Sequence, residues 1–358
     1  MANFGIPKAG YSPPGNGLFY RMITPQRVKY RWMGISLGLS VVLLVIKFTA
    51  YFLTLSTAIL TDAVESIVNV VASGFAFYSI YLAGLPPDKN HPYGHGKVEF
   101  LSSGFEGAMI LSAGMVIIWQ SILSIFEPHE LSNLDWGLLL IGITAAANGF
   151  VGWRLIRSGR QTDSLALTAD GRHLLTDTFS SIVVMVGVGL VALTGQRWID
   201  SALSLLLSFV IIYNGFQITR QSVARLMDET DAPTLGRVVT VLNAHKDRNW
   251  IDVHNLRIQK YGSDLHIDCH LTLPYYWELT QVHDQVHRFE DTLKEGFQGE
   301  VEIFVHTDPC MKECCHYCRV ADCPVRASAF IRDVEWTAAN LPLNQKHFMP
   351  MSVRGAVD

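Results

Sequence analysis

Six long apolar stretches occupy most of the first 220 residues, near 33–54, 58–83, 100–125, 134–156, 172–194 and 199–219. Each is about the 20 residues that a helix needs to cross the hydrocarbon of a bilayer. An ordinary water-soluble core has no room for so much contiguous apolar surface. The expected fold is therefore an α-helical membrane protein with six transmembrane helices. Apolar types make up 49% of the 358 residues and only 17% are charged, an unusual balance for a soluble chain of this size. The formal charge of −4 points to no particular partner. Lipid is the expected surrounding, and no nucleic-acid partner is expected.

Charge between the stretches orients them. Arg21, Arg27, Lys29 and Arg31 precede the first, Lys89 and Lys97 lie between the second and third, and Arg154, Arg157, Arg160 and Arg172 lie between the fourth and fifth. The opposite connections carry Glu127, Glu130 and Asp135, with Arg197 as the single cation. The positive-inside rule then puts both termini in the cytoplasm, with the chain in a bacterial inner membrane. No cleaved signal peptide is expected, since a cationic n-region followed by a short apolar stretch is lacking.

The second and fifth stretches are the least apolar, and ionisable side chains at membrane depth are kept mainly for transport or proton relay. His173 and Asp177 are four residues apart and share a helix face. Asp62 supplies a carboxylate from the second stretch, with a further oxygen from Glu65 or Ser66. Together these make a divalent metal site between two facing helices. A second group, Asp88, His91 and His95, is packed into LPPDKNHPYGHGKVE, where prolines and glycines interrupt the helices. Imidazole with carboxylate suits zinc, manganese, cobalt or ferrous iron.

An acidic residue opening the second-helix motif, HxxxD in the fifth helix, the DxxHPYGHGKxE loop and a soluble domain to follow resemble the cation diffusion facilitators. These are proton-coupled exporters of divalent transition metals. The resemblance covers about Arg27 to Asp308. It implies a homodimer working by alternating access, in which metal and protons compete for one site; zinc is the first expectation, with iron, cadmium, cobalt and manganese also compatible. The family's second-helix motif is usually DxxxD; Asp62 and Ser66 fall at those positions here, so a carboxylate is missing and Glu65 is the candidate to replace it. Asp88, His91 and His95 match the family's loop site. Lys97 and Asp228 match its ion pair near the dimer axis.

From Thr234 to His306 the pattern reads helix, strand, strand, helix, strand. VHNLRIQKYG and DLHIDCHLTL alternate apolar and polar residues, and VEIFVHTDP forms the last strand. This α+β order is similar to the family's ferredoxin-like cytoplasmic domain. The resemblance places His254, His270, His283, His306 and Asp308 at its metal-binding positions, where bound metal regulates the dimer. Beyond it, Cys310, Cys314, Cys315, Cys318 and Cys323 crowd into DPCMKECCHYCRVADCPVR; the spacing is not a standard zinc knuckle, and the readings are a zinc site, in second place an iron–sulfur centre, or a reactive tail without metal. A cytoplasmic location argues against disulfides.

The expected domains are a tail at 1–30, the transporter at 31–225, the metal-binding dimerisation domain at 226–309, and a Cys-rich segment and tail at 310–358. Residues 327–358 carry no functional signal. No enzyme activity and no catalytic cofactor are expected; an intramembrane metallopeptidase would need an HExxH pair, which is lacking. The alternative to transport is a membrane metal sensor that uses the same ligands without moving the ion.

Overall fold

The computed structural model describes residues 16–54, 57–126, 134–194, 198–297 and 301–347; the side chains of some helical residues, Asp62 and Glu65 among them, lie outside the described set. The chain separates into two compact units, Met1–Asp88 with Val98–Ser222, and Lys89–Lys97 with Val223–Asp358.

The first unit is helical: α1 (Asn16–Thr54), α2 (Thr57–Ala83), α3 (Val98–Phe126), α4 (Leu134–Gln161), α5 (Leu165–Thr194) and α6 (Trp198–Leu226). Among the described residues three spans are long and apolar enough to cross a membrane: Gln26–Thr49, Val98–Leu123 and Ala202–Leu226. Their apolar side chains turn outward as well as inward. Val45 is 60% exposed, Trp119 66% and Leu206 66%, which costs free energy in water and nothing in lipid. Inside, α4 packs along α5 and α1 along α2. The α4–α5 approach needs glycine: a Cβ on Gly152 would lie 2.9 Å from the carbonyl oxygen of Gly171, and one on Gly171 2.8 Å from that of Gly152.

The second unit contains α7 (Ala232–Ala244), β1 (Asp252–Tyr261), β2 (Asp264–Leu273), α8 (Leu279–Glu295) and β3 (Val301–Pro309). The order is the one the alternating pattern predicts. Asp231 caps α7 by accepting from the Thr234 N–H at 3.2 Å, with proline in the first turn. The three strands lie in the order β1-β2-β3, with β1 antiparallel and β3 parallel to β2. Along β2 the period of two is strict. Leu265, Ile267, Cys269, Leu271 and Leu273 join the core with Leu235, Val238 and Leu242 of α7 and Phe289 and Leu293 of α8. His266, Asp268, His270 and Thr272 point to the other face.

After β3, residues 310–347 pack against the rest of the second unit. Trp336 and Leu341 enter its core, 1% and 0% exposed. Between His254 and Arg257 the β1–β2 pairing is bulged, and Asn255 adopts a left-handed φ of 52°, a conformation asparagine tolerates better than most residues. The N–H groups of Asn255 and Leu256 donate instead to Leu343 and Leu341 carbonyls at 2.8 and 2.9 Å.

Candidate metal-binding sites

In the helical unit, α5 presents His173 and Asp177 on one face, with His173 Nε2 3.9 Å from Asp177 Oδ2. Among the described residues, Asn69 of α2 meets them. Its Oδ1 lies 3.1 Å from His173 Nε2 and its Nδ2 3.5 Å from Asp177 Oδ2. His173 is buried, 6% exposed, and its Nδ1 has no hydrogen-bond partner among the described atoms. Imidazole, carboxylate and amide oxygen thus converge from two helices. Ser66 is also buried on α2. Glu65 shares Asn69's helix face, four residues earlier; the side chains of Glu65 and Asp62 lie outside the described set.

One turn before His173, Asp170 is fully buried and accepts from Ser36 of α1 at 2.5 Å and Ser73 of α2 at 3.1 Å. Glu106 of α3 faces it. Lys29, one of the cations expected to orient the chain from a loop, is instead 2% exposed and pairs with buried Glu99 at 2.8 Å, while Ser164 donates to the same carboxylate. Sequence pattern does not reveal this polar layer, because its members come from α1, α2, α3 and α5.

Asp88, His91 and His95 bring one ligand atom each within 4.8 Å of one another, with His91 Nδ1 and His95 Nε2 3.1 Å apart. In the second unit, the loop that holds the two histidines rests on the β1–β2 hairpin. Tyr93 stacks on Tyr261 with centroids 5.6 Å apart and meets His266 edge-on. Gly96 approaches so closely that a Cβ there would lie 2.2 Å from the Tyr261 carbonyl oxygen. Lys97 follows, paired with Asp228 at 2.9 Å and lying 4.7 Å over the Tyr261 ring.

On the sheet face opposite the helices, the register sets His254, His270 and His306 side by side across the three strands. Asp308, two residues beyond His306, shares their face. Its carboxylate lies 3.2 Å from His254 Nε2, 3.3 Å from His270 Nδ1 and 3.6 Å from His306 Nε2. His254, His270 and Asp308 form the second group whose ligand atoms lie within 4.8 Å of one another. Burial lowers the His254 pKa, against the pull of Asp252 and Asp308, which keeps the imidazole neutral and ready to ligate. His283 is not in this group; on α8 its Nε2 lies 3.0 Å from His287 Nε2. His347 binds buried Asp252 at 2.5 Å beside the cluster.

Residues 33–227 match the cation efflux transmembrane domain, more than half of the chain. The chain belongs to the cation diffusion facilitator family. Residues 231–310 match the cytoplasmic domain of cation efflux proteins. An uncharacterized transporter of Synechocystis sp. is 32% identical over 275 residues, 77% of this chain and 88% of that protein. The cation-efflux pump FieF of Shewanella oneidensis is 25% identical, covering 78% and 93% of the two chains. The manganese efflux system protein MneP of Bacillus subtilis is also 25% identical, covering 72% and 88%. This facilitator is accordingly a membrane-spanning cation efflux transporter and not an enzyme. The family domains end at residue 310, so Cys310 closes the second of them and Cys314, Cys315, Cys318 and Cys323 lie beyond both.

Proposed function

We propose that this facilitator exports a divalent transition metal from the cytoplasm in exchange for protons, as a homodimer whose six helices per protomer all span the membrane. The observation that carries this reading is the convergence of Asn69, His173 and Asp177, 3.1 and 3.5 Å apart. These groups bind a dication only when His173 is neutral and Asp177 ionised, so metal and protons exclude one another. Rocking of the helices would expose the site to each side in turn.

Glu65, one turn from Asn69 in sequence, is the proposed fourth ligand, with Ser66 the alternative and Asp62 a further carboxylate from the same helix. A set of one imidazole, one amide and carboxylate oxygens accepts zinc, ferrous iron and manganese alike. Zinc is proposed first, and the efflux proteins of similar sequence include one named for manganese. Asp88, His91 and His95 would gather metal on the cytoplasmic side, where both termini lie at a bacterial inner membrane. Metal held by His254, His270, His306 and Asp308 would favour the dimer, with Lys97 and Asp228 bracing it and His283 outside the set.

The test is metal uptake into proteoliposomes under an imposed pH gradient, with zinc, iron and manganese in competition. Flux that ignores the gradient rejects proton coupling. Binding without flux would instead support a membrane sensor.

A further inference from the structure

Five of the chain's six cysteines fall between residues 310 and 323, and all are free thiols. They line one cavity of about 230 Å³, several water molecules' worth, whose remaining walls include Ile251, Pro274, Tyr276, Val320 and Val325. The loop that carries them is tied down at both ends. Arg326 donates to the carbonyls of Cys315 at 3.2 Å, Cys318 at 3.1 Å and Val320 at 2.5 Å. The Cys310 N–H is fixed to Leu273 at the end of β2, 2.9 Å away.

The five are not equivalent. Cys310 lies within electrostatic range of Cys315, Cys318 and Cys323, and the Tyr276 hydroxyl bonds to Cys323 and faces Cys310 and Cys318. Cys314, 1% exposed, packs with Ile251 and Tyr317, and its Sγ accepts from the Met311 N–H at 3.4 Å. Lys346 and Asp252 are its charged neighbours, and it shares that apolar cluster with Cys318 and Cys310. Without Cys314 the spacing becomes C-x4-C-x2-C-x4-C, followed by proline.

Size separates the two kinds of ligand that four cysteines favour. A single tetrahedral zinc, with Zn–S near 2.3 Å, holds its sulfurs about 3.8 Å apart. Among the described residues, no three of these thiols fall in a group with ligand atoms within 4.8 Å. A polynuclear cluster sets its cysteines wider apart around its own bulk and prefers an apolar wall. We propose that Cys310, Cys315, Cys318 and Cys323 hold a four-iron iron–sulfur cluster in the cavity between the end of β2 and the 310–326 loop. The four thiols lose their protons to solvent as thiolates bind the irons, and Tyr276 and Arg326 supply a hydrogen bond and positive charge beside the anionic centre. Cys314 is a packing residue.

The experiment is purification of the full-length protein without oxygen, with iron, acid-labile sulfide and zinc measured per chain. About four iron and four sulfide, with a broad visible absorption bleached by dithionite, are expected. The absorption should be lost in Cys315→Ser and Cys323→Ser and kept in Cys314→Ser. One zinc per chain and no sulfide overturns the proposal, as does a wild-type protein with neither, or loss of the absorption in Cys314→Ser alone. The metal and sulfide counts on the wild type decide the matter even where a serine variant fails to fold. No step here depends on transport, so a failed flux assay leaves the cluster standing.

Discussion

The side-chain oxygen of Asn69 on α2 lies 3.1 Å from Nε2 of His173 on α5, and this contact ties the two helices together at their shared face. If Asn69 ligates the transported ion, Asn69→Ala should lower metal flux in proteoliposomes at least about tenfold, a loss worth about 1.4 kcal/mol. Asn69→Asp should retain flux and shift the order of preference among zinc, iron and manganese. Wild-type flux and preference in both variants would remove Asn69 from the site.

Asp308 touches three histidines and His283 touches none of them. Asp308→Ala should therefore weaken metal binding to the cytoplasmic domain by one to two orders of magnitude in titrations of the whole protein. His283→Ala should change it by less than about threefold. The reverse ranking would mean that the sheet face is not the principal site.

Burial holds the His254 pKa below its ordinary value, which gives the metal-free domain a definite pH response. Below the unfolded value near 6.5 the unfolded chain takes up the proton first. Stability from this residue is thus fully present above that value and is lost as pH falls through the folded pKa. Thermal unfolding between pH 7.5 and 5 should show a smaller drop in His254→Asn than in wild type, and an equal drop would contradict the assignment.

A methyl group at Gly96 would enter the space of the Tyr261 carbonyl, backbone that cannot swing aside. Gly96→Ala should cost about 1–3 kcal/mol and free the Tyr93–Tyr261 stack. Tyrosine fluorescence and the unfolding midpoint check this, and an unchanged midpoint would show that the loop does not rest on the hairpin.

Cys269 reports on packing. It is 2% exposed in β2, and burial pushes its thiol up to about 12. It should resist iodoacetamide at pH 8 in the folded protein, since only the thiolate reacts. Rapid labelling would mean that β2 opens easily.

Features governed by local period are legible in the residue order alone. The alternation in DLHIDCHLTL sends His270 to one face and Cys269 to the other, and the strand pairing then places His254 and His306 beside it. Closeness within one short loop likewise gathers Asp88, His91 and His95. What stays hidden depends on which faces meet. Asn69 and Ser66 are three residues apart on α2, and only the rotation of that helix against α5 chooses Asn69. Asp170 draws on serines 97 and 134 residues away in sequence, a separation no periodicity encodes. Residues 327–347 have no repeating pattern at all, yet Trp336 and Leu341 are as buried as any strand residue.

The junction between Leu341–Leu343 and the bulge at Asn255 bears on how the soluble half should be prepared in isolation. β1 is an outer strand of its sheet, and two of its N–H groups are spoken for by the far end of the polypeptide. A fragment cut at residue 310, where the family domain stops, would leave them open beside bared Leu256 and Val253. Such an unguarded margin invites other chains to add on. The fragment should run through His347, or it will be prone to stick to itself.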